Sequence, residues 1–481
     1  MLGSRAHRRI DMIGNSEAAL RDAALQRALR VALPSFRQQR DAAAAEVPEW
    51  EALRAAAAAI KEEALRHLAV YLTQFEAQVA ACGGVVHWAE DAADARRIIV
   101  EVARRRGVRL AVKSKSMTSE EIDLNPALEA AGIRVVETDL GEFIVQLAGE
   151  RPSHIVVPAL HKDPDAVAGL FARRLGVRST GQPQDLARVA REALRAEFLA
   201  AGMGISGANF AVAETGTLVV IENEGNARLA TTQPPLHVAV MGLEKIVPRL
   251  ADLGVMLRLL ARSATGQRAS VYVSLLTGPR RAGEADGPQE LHVILLDNGR
   301  TRLLADPDLR EALRCIRCGA CSNVCPVFER TGGHAYGTVY SGPIGAVISP
   351  AYLGLERAGE LPFASTLCGA CAEVCPVKIA LPRLLLELRC RVVEAGQVGR
   401  LDRLLARTWT ATMATPGRVR VLGRVGRLLQ RLVARRGRIE RLPYPLQGWT
   451  AHRVAPPLAP QAFRDRWPAR APGRGNGGGC G

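Results

Sequence analysis

Lysine is scarce in this 481-residue chain: six of the 64 basic residues (Lys61, Lys113, Lys115, Lys162, Lys245, Lys378), the rest being arginine. The formal charge of +16 would suit a nucleic-acid or membrane surface. Arginine spread through an alanine-rich chain reads instead as compositional bias, and no nucleic-acid-binding motif accompanies it, so nucleic acid is not an expected partner. Aromatic residues are also few, at 4%, although 48% hydrophobic content still allows a sizeable core. No run of about 18 apolar residues occurs, so no transmembrane segment is expected. The stretch MLGSRAHRRIDMIGNSEAAL lacks the apolar segment of about 7–15 residues that a secretory signal needs. The expected location is the cytoplasm, where thiols stay reduced. No G-x-G-x-x-G follows a strand-like run (MGISGAN does not fit), and no Walker loop appears. Nicotinamide and flavin therefore have no motif in their favour.

Residues 1–80 are rich in alanine, leucine, glutamate and arginine with apolar residues at helical spacing, as in EALRAAAAAIKEEALRHLAVYL. From about residue 81 the texture changes. GVVHWA, RLAVKS, IRVVETD and SHIVVPA read as short strands separated by amphipathic stretches. FAVAETGTLVVIEN, HVAVMG, ASVYVSLLTG and ELHVILLDNG continue the strand-like series to about 300. That β-α rhythm predicts an α/β domain with a mostly parallel sheet over 81–300. A mostly helical, cysteine-rich module follows over 301–395. Residues 396–481 are arginine- and leucine-rich, and then proline-rich. Their APGRGNGGGCG tail is expected to be disordered.

What the chain does have is clustered cysteine. Cys315-x2-Cys318-x2-Cys321-x3-Cys325-Pro326 has the bacterial ferredoxin spacing. Three thiolates on one tight loop hold one cubane, and the fourth reaches a second. The small residues of CGAC let the backbone approach inorganic sulfur, and the proline stops the chain curling back. The second run ends alike, Cys368-x2-Cys371-x3-Cys375-Pro376, but Ser365 falls where its first cysteine would be. The crossover assigns Cys315, Cys318, Cys321 and Cys375 to one 4Fe–4S cluster. Cys325, Cys368 and Cys371 serve the other, which is one thiolate short. That cluster is either 3Fe–4S or 4Fe–4S with Ser365, water or a partner's group at the open corner. Zinc, which usually joins two separated cysteine pairs, fits this spacing poorly. Cys390 is expected to be a buried apolar thiol and is the fallback ligand. Cys82 and Cys480 have no evident partner.

Upstream, AVKSKSMTSEEIDLNPALEAAGIRVVETDLGEFIVQL (111–147) and GANFAVAETGTLVVIENEGNARLATTQPPLHVAVMGLEKIVP (207–248) resemble the lactate-utilisation domain. CIRCGACSNVCPVF, GGHAYGTVYSGPIGAVISP and LCGACAEVCPVKI resemble the two-cluster ferredoxin-type module of the iron–sulfur proteins in that family. The resemblance spans roughly residues 50–400. It implies a domain related to CoA transferases and ribose-5-phosphate isomerase, and a role in electron transport within a cytoplasmic system of several subunits that oxidises L-lactate to pyruvate. Read from the residues alone, Lys113, Ser114, Lys115 and Ser116 could meet an anion at a helix N-terminus, or form a solvated turn capped by Thr118 or Ser119 with Glu121 in the first turn. Glu214, Thr215, Gly216 and Thr217 form either a ligand approach or an ordinary bulge. Asn226 and Arg228 could pair with a carboxylate, and His237 reads as a core histidine.

Lactate oxidation releases two electrons, and nothing in the sequence clearly splits that pair, which favours an electron-relay subunit over a catalyst. The alternatives are that the α/β domain itself binds and oxidises a 2-hydroxy acid and feeds its own clusters, or that the clusters only brace a non-redox scaffold. The stretch Arg400–Arg441 is the candidate docking element for other subunits. A self-packed amphipathic helix pair or contact with an anionic membrane surface are the other readings.

Overall fold

The computed structural model describes residues 9–434, 437–443, 446–451 and 453–467. Cys480 and the glycine-rich tail lie outside them, as does part of the 400–441 stretch. The chain divides into two compact units, Met1–Gln397 and Val398–Gly481.

The first unit is mixed α/β. Its strands are β1 (Val85–Ala89), β2 (Leu110–Lys113), β3 (Arg134–Glu137), β4 (Met203–Gly207), β5 (Phe210–Val212), β6 (Thr217–Glu222), β7 (Leu236–Gly242), β8 (Ile246–Val247), β9 (Tyr272–Leu276) and β10 (Glu290–Leu296). Six of them form a sheet in the order β1-β10-β7-β4-β2-β3, with every neighbouring pair parallel. All of β7 is buried, as is β10 after its first residue. A parallel sheet is covered on both faces, which is why these strands read as continuous apolar runs and not as alternation. Ile98, Ile99 and Val102 of the helix Ala92–Arg105 cover one face with Leu124 and Leu128. Phe143, Phe171 and Phe198 pack with Val112 of β2 and Val136 of β3. The remaining strands make a smaller sheet, β8-β5-β6-β9.

SHIVVPA is not a strand. Residues 153–159 form bends and turns. The N–H groups of Val156 and Val157 donate to His154 Nδ1 (3.1 and 3.0 Å), and Ser153 N donates to Pro158 O. A run that satisfies its own backbone locally has little left for a ladder. Its apolar residues instead pack towards the cysteine module, where Val156 lies against Gly319.

Four helices precede the sheet: α1 (Met12–Arg21), α2 (Ala23–Ala45), α3 (Trp50–Arg66) and α4 (Leu68–Ala81). Asp22 caps α2, accepting from Ala24 N and Leu25 N. Phe75 and Val79 of α4 join the core beneath β7 and β10. Leu29, Leu33 and Leu53 of α2 and α3 share another core with Val219, Val247, Leu313 and Phe328. One continuous interior therefore runs from the N-terminal helices through the small sheet into the cysteine module. Arg54 on α3 braces the second cysteine run, donating to Glu373 O (2.6 Å) and Cys375 O (2.9 Å).

The second unit contains the helices Arg400–Met413 and Pro416–Val433. Leu404, Trp409, Leu428 and Leu432 on them are exposed. Among the described residues, no helix is long and apolar enough to cross a membrane.

Candidate metal centre and the adjoining cavity

The two cysteine runs fold alike. Each enters a short helix, Ala320–Asn323 or Ala370–Glu373, through a left-handed glycine, Gly319 (φ 77°) or Gly369 (φ 90°). At Gly319 a Cβ would lie 3.0 Å from Val156, so both the conformation and the missing side chain are required. Earlier in each run stands a second left-handed residue, Arg317 (φ 61°) or Leu367 (φ 54°). Arg317 N donates to Cys315 Sγ at 3.4 Å, and Leu367 N donates to Ser365 Oγ at 3.1 Å. Ser365 thus accepts the same turn hydrogen bond in the second run that Cys315 accepts in the first.

The fold sorts the thiols into two neighbourhoods. Cys315, Cys318, Cys321 and Cys375 line one small cavity, whose walls include Ile344 and Ile379. Cys325, Cys368 and Cys371 lie within electrostatic reach of one another. Burial pushes the thiols of Cys318 and Cys321 far up, Cys371 to about 12 and Cys375 to about 11. Exposed Cys368 is instead lowered, by the Thr366 hydroxyl and the Ala370 N–H. Thiols this buried ionise only beside a metal, which deprotonates them outright. Ile379 N already points at Cys375 Sγ (3.4 Å), the kind of N–H contact that offsets charge on a cluster's sulfurs. Among the described residues, no three His, Cys, Asp or Glu side chains converge on a single-ion site. Sulfurs sharing one zinc lie about 4 Å apart, whereas thiols around the corners of a cluster stand wider. The donor set fits clusters.

Beside the first run lies a buried charge network. Arg300 donates to Glu244 (Nε, 2.6 Å) and to both Glu121 oxygens (2.9 and 2.8 Å). Tyr340 donates to Glu121 at 2.6 Å, and Arg317 Nη2 lies 3.3 Å from Glu244. Burial alone would raise the Glu244 carboxyl; Arg300 and Arg317 outweigh it and hold it at about 2. Lys61 donates to the carbonyls of Glu244 and Ile246. Burial lowers Lys61 and Lys245 to about 8, each partly supported by Glu244 and Cys315. The network faces a cavity of about 550 Å³ that Lys245, Arg317, Cys318, Ser116, Asn209 and Asn226 help to line. The β7–β8 corner, the β4–β5 loop and the first cysteine run meet there.

Two family models match the chain in sequence order. "LUD domain" covers residues 72–296, and "4Fe-4S dicluster domain" covers residues 311–379, which hold all seven cysteines of the two runs. Lactate utilization protein B of Shouchella clausii is 43% identical over 455 residues, 94% of this chain and 96% of that one. The chain belongs to the lactate utilization protein B family. Lactate utilization protein B of Geobacillus thermodenitrificans is 45% identical over 422 residues, covering 87% and 88% of the two chains. An Escherichia coli relative, "Uncharacterized electron transport protein YkgF", is 45% identical over 372 residues, covering 77% and 78%. The architecture of this family member is therefore a LUD domain followed by an iron–sulfur module.

Within that frame several sequence expectations resolve. Ser114, Lys115 and Ser116 do line the cavity. Lys113 does not; it is buried in ion pairs with Glu120 and Glu137 (2.5 and 2.7 Å). The helix cap is Ser116, accepting from Ser119 N, and not Thr118 or Ser119; Glu121 ends that helix, Met117–Glu121. Gly216 serves packing: its Cβ would lie 2.7 Å from Val79 N, so it admits the backbone of α4, and no ligand. Glu214 accepts from Leu250 N, and Thr215, Thr217 and Thr277 share hydroxyl bonds. Asn226 reaches the cavity, while exposed Arg228 lies over Tyr272. His237 is a core histidine bonded to Ser206 Oγ (2.8 Å) and lowered by burial to about 4. Cys390 is exposed, contrary to expectation. Its helix, Leu381–Glu394, buries Leu384, Leu385, Leu388 and Val392, and position 390 falls off that stripe. Cys82 ends α4, half-buried. Sequence reasoning missed Lys245, Arg300 and Arg317. The available signal was a Glu-Lys pair inside the apolar run VMGLEKIV, since charges between buried strands need a partner.

Proposed function

We propose that this chain is the iron–sulfur electron-transfer component of a cytoplasmic system that oxidises L-lactate to pyruvate, working with other subunits of that system. Its relatives' names, its dicluster domain and the clustered thiols support the reading. Cys315, Cys318, Cys321 and Cys375 would hold one 4Fe–4S cluster. Cys325, Cys368 and Cys371 would hold the second, with Ser365 at the corner that lacks a thiol. Bound clusters supply one-electron transfer. The chain's own part is burial, charge and exposure. Lys61, Lys245 and Arg317 place positive charge near Cys315, which favours the reduced form at that site.

The observation that carries the proposal is the change in exposure along the module. Cys318 is buried and borders the cavity, whereas Cys368 is exposed. One site thus borders the cavity, proposed as the donor side, and the other presents Cys368 to solvent, where an acceptor protein can approach. The stretch Arg400–Arg441, with Leu404, Trp409, Leu428 and Leu432 exposed among its described residues, is the proposed docking element, and removing residues 400–481 should weaken co-purification with partners while leaving iron content intact.

The test is anaerobic. Purified chain with its partner subunits should show L-lactate-dependent reduction of both clusters by EPR, and the isolated chain should show none. A specific feature favours a second reading, in which the α/β domain itself handles the acid: its cavity reaches Cys318. Reduction by lactate in the isolated chain would select that reading. No reduction even with partners present would leave the clusters a bracing role.

A further inference from the structure

Buried lysines in this protein have acceptors, with one exception. Lys61 holds two carbonyls, and Lys113 holds two carboxylates. Lys245 is 8% exposed, yet among the described residues it has no hydrogen-bond or ion-pair partner. Its neighbour Glu244 is already engaged by Arg300 and Arg317. Arg317, whose side chain is also 8% exposed, lies over the Tyr340 ring (4.6 Å), and its Nη1 is buried without a partner. Both cations border the same 550 Å³ cavity. A buried, unpaired cation costs several kcal/mol, of order 3–5 by the removal of a partner. Lys245 has no carboxylate of its own, and Arg317, though paired with Glu244 through Nη2, keeps Nη1 unsatisfied; both border one cavity, which marks the place of an absent anion.

The rest of the cavity narrows the choice. Its lining also includes Asp139, Glu222 and Glu224 with Lys115. Glu222 accepts from Ala227 N and Arg228 N, Glu224 from Leu140 N, and Lys115 donates to Val156 O. Those groups are occupied by the fold, Asp139 accepting from Glu142 N, and burial raises Glu222 and lifts Glu224 to about 7; adding a highly charged ligand such as a phosphate ester beside three acidic groups is disfavoured. A single carboxylate fits better: Arg317 supplies a planar donor, and Lys245 a point charge. From this geometry we infer that the cavity is a binding site for a small organic acid, with the acid's carboxylate held between Lys245 and Arg317 beside the first cysteine run. The class of acid, a 2-hydroxy or 2-oxo acid, rests on the functional reading above; the carboxylate site itself does not. Only the carboxylate end is assigned, because the volume exceeds what a three-carbon acid fills.

The competing role for these cations is compensation of the cluster's own charge, and the experiment separates the two. Full-length chain with assayed iron and sulfide is titrated by calorimetry with L-lactate, pyruvate, oxalate and inorganic phosphate. At least one carboxylate should bind, and more tightly than phosphate. Lys245→Met should weaken it about tenfold to a hundredfold, the range for losing one charged hydrogen bond. Lys245→Arg should restore most of the affinity, and thermal unfolding with iron content shows whether each variant is folded and loaded. Absence of carboxylate binding to the loaded parent overturns the site, as does Lys245→Met binding unchanged, including the case where only the cluster potential shifts. Phosphate binding as tightly as any carboxylate overturns the ligand class. If partner-driven reduction by lactate succeeds while no carboxylate binds, the relay stands and the site falls. If carboxylates bind through Lys245 but lactate reduces nothing, the reverse holds.

Discussion

Replacing Arg300 with Met tests whether the buried charge network holds the LUD domain against the cysteine module. Arg300 is 1% exposed and bridges Glu121 and Glu244, with its guanidinium 4.9 Å from the Tyr352 ring centre. Removing it leaves two buried carboxylates short of a cation, a loss of about 3–5 kcal/mol for one partner of a buried pair. Glu121 would keep Tyr340 and Asn298 as donors, and Glu244 would keep Arg317. The expected loss is therefore near the lower end, about 3 kcal/mol. Pulse proteolysis across an anaerobic urea series measures it. The double variant Arg300→Met/Glu121→Gln should lose less than the sum of the single losses, with a coupling of at least about 1 kcal/mol. Acid behaviour follows with a definite sign. The Glu244 carboxyl, depressed to about 2, contributes stability that is present above the ordinary carboxylate range and lost as pH falls from about 4.5 towards 2. In Arg300→Met the Glu244 carboxyl moves up from that depressed value, so this acid loss should become smaller. A variant within about 1 kcal/mol of the parent, or strict additivity in the double variant, would refute the argument.

Four further outcomes are expected. Cys375→Ser should damage the cluster of Cys315, Cys318 and Cys321, seen by EPR; loss confined to the cluster of Cys368 and Cys371 would break the crossover assignment. Mild oxidation should convert the Ser365-cornered cluster to a 3Fe–4S signal first, because a hydroxyl is a poor iron ligand beside thiolates, and Ser365→Cys should suppress that signal. His237, lowered to about 4 by burial, stays neutral in the fold while the unfolded chain takes a proton below about 6.5. Stability should therefore fall by about 2 kcal/mol between pH 7 and 5 from this residue, a slope that His237→Gln removes. Gly216→Ala, at φ 66° and with a Cβ 2.7 Å from Val79 N, should cost about 1–3 kcal/mol in the same urea series while iron content stays unchanged.

Much of this protein is legible in its sequence because the signals are local. The runs at β7 and β10 announce a sheet buried on both faces, and cysteines at 315, 318, 321 and 325 announce a cluster loop, since both patterns are set by residues within a few positions of one another. Ser365 is legible for the same reason: the second run repeats the first in register, and the backbone turn around it repeats too. Short apolar runs are the ambiguous case. SHIVVPA has strand composition, but His154 satisfies its N–H groups before any neighbouring strand can. Cys390 shows a related limit: its burial depends on which stripe of its helix meets the core, and a single position does not state that.

What only the tertiary structure decides is what comes together across long separations. Lys245 ends a 3-10 turn between two strands, Arg317 sits between two cysteines, and Asn226 starts a short helix; each is ordinary alone, and the fold sets all three around one cavity. Glu121, Glu244 and Arg300 become a network only because the ends of separate elements converge. The physical reason is that charge pairing and cavity shape are properties of spatial neighbours in a medium of low dielectric, where a missing partner costs several kcal/mol. Propensity and spacing are properties of chain neighbours, and they carry no record of which distant side chain will lie within 3 Å.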